Sequence, residues 1–266
     1  MDVVTEIEAA FVAHWSVFGR WAKGELHQED GMLWFETPIS HLPYNGIIET
    51  RIDGDADAAV SRLVERFGAR GVQFFWLVHP SARPTDLSDH LAAHGLDAVD
   101  NATGMSLELA DWEGSEPAAG VVYREVLDTA DLQAYQELTV GYWEVSEEED
   151  AALVGEFQRE WGPGRAPGHR YLALVDGTPL GKGYVSFAGP PGVAAIYGMS
   201  VKPEARGRGI AGGLTTTLLR RAKEVGSRRA VLHSTEMAVG VYRRSGFVER
   251  CRFTVFATAP LWSHGQ

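Results

Sequence analysis

One cysteine, Cys251, stands among 266 residues. That excludes an internal disulfide and a zinc site built on cysteine thiolates. Long apolar runs are lacking too: the stretch 72–78 (VQFFWLV) is far too short to cross a bilayer. Basic residues are outnumbered, 24 Lys and Arg against 36 Asp and Glu, for a net charge of -12. This balance argues against a general nucleic-acid binder and against an anionic membrane surface. The opening MDVVTE has no basic stretch followed by an apolar run, which argues against a secretory signal. The expectation is a cytoplasmic protein with no nucleic-acid or membrane partner. No G-x-S-x-G elbow occurs, so a serine hydrolase lacks support. His90 and His94 are four apart on a predicted helix, but no third ligand accompanies them. Asp53, Asp55 and Asp57 resemble the start of a calcium loop without its later Gly and Glu. No metal is expected.

What is present is an ordinary globular balance, 45% hydrophobic and 23% charged, enough for a sizeable core. The segment 111–120 (DWEGSEPAAG) reads as a linker and divides the chain into 1–110 and 121–266. Periodicity in the second part gives strand 121–126, helices 130–142 and 146–161, and strands 171–175, 181–187 and 194–201. Helix 209–225, strand 230–234, helix 237–244 and strand 247–257 follow. The first part begins with helix 3–22 and strands 31–36 and 46–52. Helix 56–67, strand 72–78, helix 85–94 and strand 96–109 complete it. Both parts end β-α-β-α-β, with a short helix closed by a glycine at Gly95 and at Gly246. This reads as a diverged internal duplication in an α/β protein with mixed sheets.

The two copies differ at one turn. Residues 205–214, ARGRGIAGGL, hold Gly207-x-Gly209-x-x-Gly212 and open a helix. Such a turn holds a diphosphate on free helix N–H groups. The corresponding turn of the first part, DGDADAA, carries three aspartates. These would repel a diphosphate and cap the helix instead. A basic cluster surrounds the second turn: Lys202, Arg206, Arg208, Arg220, Arg221, Lys223, Arg228 and Arg229. A dinucleotide turn needs its first glycine directly after the strand and an acid at the end of the next strand. Here residues 202–206 intervene, and strand 230–234 has no acid.

Downstream, Ala238-x-x-x-Tyr242-x-x-x-Gly246-Phe247 follows the next strand. Together, IYGMSVKPEARGRGIAGGL and EMAVGVYRRSGF closely resemble the GNAT acetyltransferase superfamily over 196–247. The element order extends the resemblance over about 121–258, and Thr235 stands where the family often has Asn. The first part resembles a degenerate GNAT repeat on element order alone. The resemblance implies an acyl-CoA N-acyltransferase fold, in tandem with a degenerate N-terminal half. It implies acetyl-CoA as cosubstrate and direct acetyl transfer to a primary amine.

Pantetheine would pair with the backbone of Met199, Ser200 and Val201. The diphosphate would sit on Arg206, Gly207, Arg208, Gly209, Ile210, Ala211 and Gly212. Tyr242 would be the general acid that protonates the leaving thiolate. Tyr197 and His233 are candidate bases, with an ordered water as the alternative. The acidic residues Glu144, Glu147, Glu148, Glu149 and Asp150 lie near the first helix pair, which shapes the acceptor site in this family. If they face the slot, the acceptor is a cationic small-molecule or peptide amine. A homodimer is compatible with this reading. Two other functions remain open: a non-catalytic acyl-CoA-sensing module, and a nicotinamide-dependent oxidoreductase.

Overall fold

The computed structural model describes residues 1–162, 164–165 and 167–258. In chain order the elements are α1 (Val3–Gly19), β1 (Glu25–Glu29), β2 (Met32–Glu36), β3 (Gly46–Thr50) and α2 (Ala56–Arg70). Then come β4 (Phe75–Val78), α3 (Leu87–Ala93), β5 (Asp97–Glu108), β6 (Val121–Glu125), α4 (Thr129–Tyr142) and α5 (Glu148–Glu160). The last are β7 (Gly168–Val175), β8 (Thr178–Ser186), β9 (Val193–Val201), α6 (Ile210–Glu224), β10 (Arg229–Ser234), α7 (Glu236–Arg244) and β11 (Val248–Ala257). Strand β1, with the sequence ELHQE, carries no apolar alternation and is not anticipated by periodicity.

The chain forms two compact units. One comprises Met1–His14, Thr103–Tyr142 and Val154–Arg250. The other comprises Trp15–Ala102, Trp143–Leu153 and the described residues from Cys251 on. Boundaries at 110 and 121 follow chain order. The compact units do not, because residues of β5 and β11 are exchanged between the halves of the chain.

In the first unit β6, β7, β8 and β9 pair antiparallel in sequence order. Strand β10 then pairs parallel to β9, and residues 103–108 of β5 pair antiparallel to β10. Strand residues alternate between two cores. Ala173 faces a cluster with Ile196, Leu214, Leu218, Leu232 and Phe247, under α6. Its neighbours Leu172 and Leu174 pack with Leu132, Tyr135 and Leu138 of α4. Helix α6 is amphipathic, burying Ile210, Leu214, Leu218 and Ala222 at helical spacing.

The second unit repeats this logic. Strands β3 and β4 pair in parallel, and β11 pairs antiparallel to β4. Each unit therefore has a parallel pair completed by an antiparallel last strand from the other half of the chain. Helix α2 buries Val60, Leu63 and Phe67 against Trp34, Ile47 and Trp76. Asp55 caps α2, its carboxylate accepting from the Ala58 N–H at 3.1 Å. Asp55 of this turn thus serves the helix terminus. Asp57 lies 3.0 Å from His94 and 3.6 Å from His90, which accounts for that histidine pair.

Candidate active site

Strand β9 pairs with β10 only from Val193 to Ile196. Beyond that point its pairing runs to β8 alone, as Tyr184 with Tyr197, Lys182 with Ser200 and Gly181 with Val201. The backbone of 197–201 therefore presents a free edge where two parallel strands part. The β8–β9 register shifts between Lys182 and Tyr184, which sets Gly198 and Met199 opposite Gly183. Such a two-against-one bulge bends the strand and re-aims its groups. Gly198 has φ +60° and is exposed at the bulge. Met199 and Val201 pack partly against the α6 core with their side chains.

A short 3-10 helix, Pro203–Ala205, follows β9 and leads into the glycine turn. Ala205 and Ile210 are buried and pin the two ends of the turn, while Arg206, Gly207, Arg208 and Gly209 are exposed between them. Gly207 has φ +76° and Gly209 has φ +77°, a left-handed conformation that suits glycine. Gly209 is the N-cap of α6 and provides no side-chain capping bond. The first-turn N–H groups have no intrahelical partner, the arrangement that suits an anion.

The basic cluster divides into two sets. Arg220 donates to the Ser115 carbonyl, and Lys223 donates to the carbonyls of Ala110 and Trp112. Arg228 and Arg229 both bind Glu6 of α1. Arg221 pairs with Glu224 at 3.2 Å. These five are occupied within the protein. Arg206 makes only a long bond, 3.5 Å, to the Val201 carbonyl, and neither Arg206 nor Arg208 has a carboxylate partner among the described residues.

Tyr242, on α7, is buried and meets Phe247 edge-on with ring centroids 5.9 Å apart. Burial, and secondarily Tyr142, raise its pKa, so the phenol stays protonated at neutral pH. Tyr197 and His233 lie together, Oη to Nδ1 at a long 3.5 Å, with rings nearly parallel. His14 stacks on Tyr197 and Phe11 meets His233 edge-on at 4.5 Å, so α1 covers both. Burial raises the Tyr197 pKa and keeps that phenol neutral.

Residues 132–247 match the Acetyltransferase (GNAT) family. This region of the chain belongs to the GNAT acetyltransferase family. The mycothiol acetyltransferase of Cellulomonas flavigena is 28% identical over 203 residues, which are 70% of this chain. Those residues span 57% of that relative's length. A GCN5-related N-acetyltransferase from Kribbella flavida shares the fold with a TM-score of 0.68 at 20% identity, over 94% of this chain and 95% of that one. A tandem GNAT protein from the clavulanic acid biosynthesis pathway does so with a TM-score of 0.59 at 16% identity, over 98% and 95%. The chain thus shares its fold, over nearly its whole length, with a tandem GNAT protein.

Within the GNAT region the structure adds a residue that the sequence reading missed. Lys182 of β8 is only 2% exposed, and its Nζ donates to the Gly198 carbonyl at 2.9 Å. It also lies 4.8 Å from the Tyr135 ring centroid and 6.0 Å from that of Tyr142. Arg170 sits over the same Tyr135 ring and over Tyr184. The available signal was a lysine inside an apolar strand, LGKGYVSF, because buried lysines are rare.

The acidic run divides as well. Asp150 is buried and accepts from the Ser40 and His41 N–H groups and the Ser40 hydroxyl, a structural role. Glu147, Glu148 and Glu149 are exposed.

Proposed function

We propose that this chain is an acetyl-CoA-dependent N-acetyltransferase that moves an acetyl group to a primary amine by direct attack in a ternary complex. The observation that carries this is the free edge of 197–201 leading into an uncapped, basic, left-handed glycine turn. The residues present fit acetyl-CoA. The edge offers backbone partners to pantetheine at Met199, Ser200 and Val201. The turn offers N–H groups, Arg206 and Arg208 to the diphosphate. A backbone N–H near Met199 would polarise the thioester carbonyl. The first part, with Asp55 capping its equivalent helix, has no such turn and serves as scaffold.

The amine attacks the carbonyl carbon, and the carbon–sulfur bond breaks with its electron pair on sulfur. Tyr242, neutral in its buried setting, donates the proton that the thiolate needs. No cysteine lies near the turn to carry the acetyl group, which supports transfer without an acyl-enzyme. The acceptor is a small-molecule or peptide amine. The likeness to a mycothiol acetyltransferase supports acetyl transfer. Among the described residues no helix is long and apolar enough to cross a membrane. We place the activity in the cytoplasm, and a homodimer is compatible with it.

The test is thiol release from acetyl-CoA against a panel of amines, with the acetylated product identified by mass. A transferase yields equal amounts of CoA and amide with one amine class. An acyl-CoA-sensing module binds acetyl-CoA, yields neither product, and is indifferent to Tyr242→Phe. The dinucleotide reading is disfavoured by the 3-10 helix between β9 and Gly207, which moves the first glycine away from the strand end.

A further inference from the structure

The proposed reaction needs a group that takes a proton from the incoming amine, which is mostly ammonium at neutral pH. A carboxylate or histidine is the usual supply. Around the bulge of β9 the described groups are of another kind. Lys182 of β8 and Arg170 of β7 are accompanied by Tyr135 and Tyr142 of α4 and His14 of α1. No carboxylate pairs with Lys182 or Arg170 among the described residues. Burying a lysine without a carboxylate is costly, and such a residue persists where the fold uses it.

We infer that Lys182 is the residue that takes the proton from the acceptor amine. This rests on the transferase reading above. Two geometric facts carry it, and the other groups of the face are eliminated beside them. Nζ is hydrogen-bonded at 2.9 Å to the carbonyl of Gly198, the exposed residue of the bulge beside Met199. The Cβ side of Gly198 packs on the same group: a side-chain Cβ there would lie 3.5 Å from Nζ and 3.3 Å from the Tyr135 hydroxyl. The other groups of the face are poorly suited. Burial raises the Tyr135, Tyr184 and Tyr197 phenols, so none is a phenolate near neutrality. Burial, with Arg170 and Lys182, pushes His14 down to about 3, which makes it a weak base.

Burial, and then Arg170, push Lys182 down to about 7. The Tyr135 ring and the Gly198 carbonyl favour the ammonium. The opposing effects leave both forms populated near neutral pH, as proton uptake requires.

The step balances as follows. R–NH3+ gives one proton to neutral Nζ. The freed lone pair forms the carbon–nitrogen bond, and the carbonyl π pair moves to oxygen. On its return the carbon–sulfur bond breaks, and the thiolate takes the Tyr242 proton. The nitrogen, still bearing one proton too many, returns it to the tyrosinate. Lys182 then releases its proton to solvent. The sum is ammonium plus thioester giving amide, thiol and H+.

The experiment compares the native enzyme with Lys182→Met, Lys182→Arg and Lys182→Ala, each checked for folding by its melting curve. Acetylated acceptor is quantified rather than thiol. The expected profile of the native enzyme has kcat rising with pH through about 7. The expected result is a fall of about 10²-fold or more in Lys182→Met and in Lys182→Arg, with that limb lost. Added ethylamine should restore part of the Lys182→Ala rate. Lys182→Arg at native turnover would show that the charge alone is needed, and would overturn the proposal. An unchanged pH limb in Lys182→Met would overturn it too. A second readout needs no turnover: 13Cε-labelled lysine NMR should show Lys182 titrating near 7, and titration above 9 would contradict the inference. If the native enzyme binds acetyl-CoA but acetylates no amine, the transferase reading fails. The inference about Lys182, which rests on it, fails with it. A transferring enzyme with an indifferent Lys182 sinks only the inference.

Discussion

Tyr197 stacks on His14 with ring centroids 3.9 Å apart and planes 17° apart. The ring that stood as a candidate base therefore has one face against α1. Its hydroxyl points toward His233 rather than ending in solvent. Tyr197→Phe keeps the stack and removes only the hydroxyl. We expect it to lower kcat less than tenfold, measured as acetylated product under saturating substrates. A loss of a hundredfold or more would return Tyr197 to the chemistry.

Tyr242→Phe removes the proposed acid and leaves the packing on Phe247 intact. The expected loss in kcat is about 10²- to 10³-fold, with the acetyl-CoA Kd unchanged. Steady-state kinetics alongside calorimetry separates the two quantities. Retained turnover would remove Tyr242 from the mechanism.

Arg206 and Arg208 flank the turn without internal carboxylate partners. Replacing both with Ala should weaken acetyl-CoA binding by about tenfold and flatten its dependence on salt. The melting temperature should hold, because neither side chain is buried. The same double change in Arg228 and Arg229 should act the other way, on stability and not on binding.

That contrast rests on Glu6. Its side chain is 3% exposed and is held by Arg228 and by Arg229. Burial pushes the Glu6 pKa up, but the bonds from Arg228 and Arg229 outweigh it and leave the pKa lowered. A lowered carboxylate contributes stability that is complete above its unfolded value, near 4.5. The contribution is lost as pH falls through the folded value. Glu6→Gln should cost about 2 kcal/mol at pH 7 by urea unfolding, and its penalty should shrink below about pH 4. A pH-independent penalty would show that packing, not charge, holds α1.

Much of the fold was legible in sequence. Ile210, Leu214, Leu218 and Ala222 set the α6 face, and the two left-handed glycines marked its start. The glycine turn was readable as a turn, because its conformation is set by residues adjacent in the chain. The setting of Lys182 was not readable, because its partner lies across the sheet. Only the β8–β9 bulge brings it to Gly198, sixteen residues on. The exchanged strands were hidden for a related reason. Residues 103–108 and 251–257 have ordinary strand patterns, and periodicity does not say which strand a partner will be. The basic cluster looked uniform in sequence, yet five of its members are spent on carbonyls, Glu6 and Glu224.

The central claim is that this chain binds acetyl-CoA once, at the glycine turn of its second part. Calorimetric titration of the full chain with acetyl-CoA, with NAD as the parallel ligand, tests it most directly. The account predicts one acetyl-CoA site per chain, lost or weakened in the Arg206→Ala/Arg208→Ala variant, and no heat from NAD. Two sites per chain would contradict the capping role of Asp55, and binding of NAD alone would contradict the account as a whole.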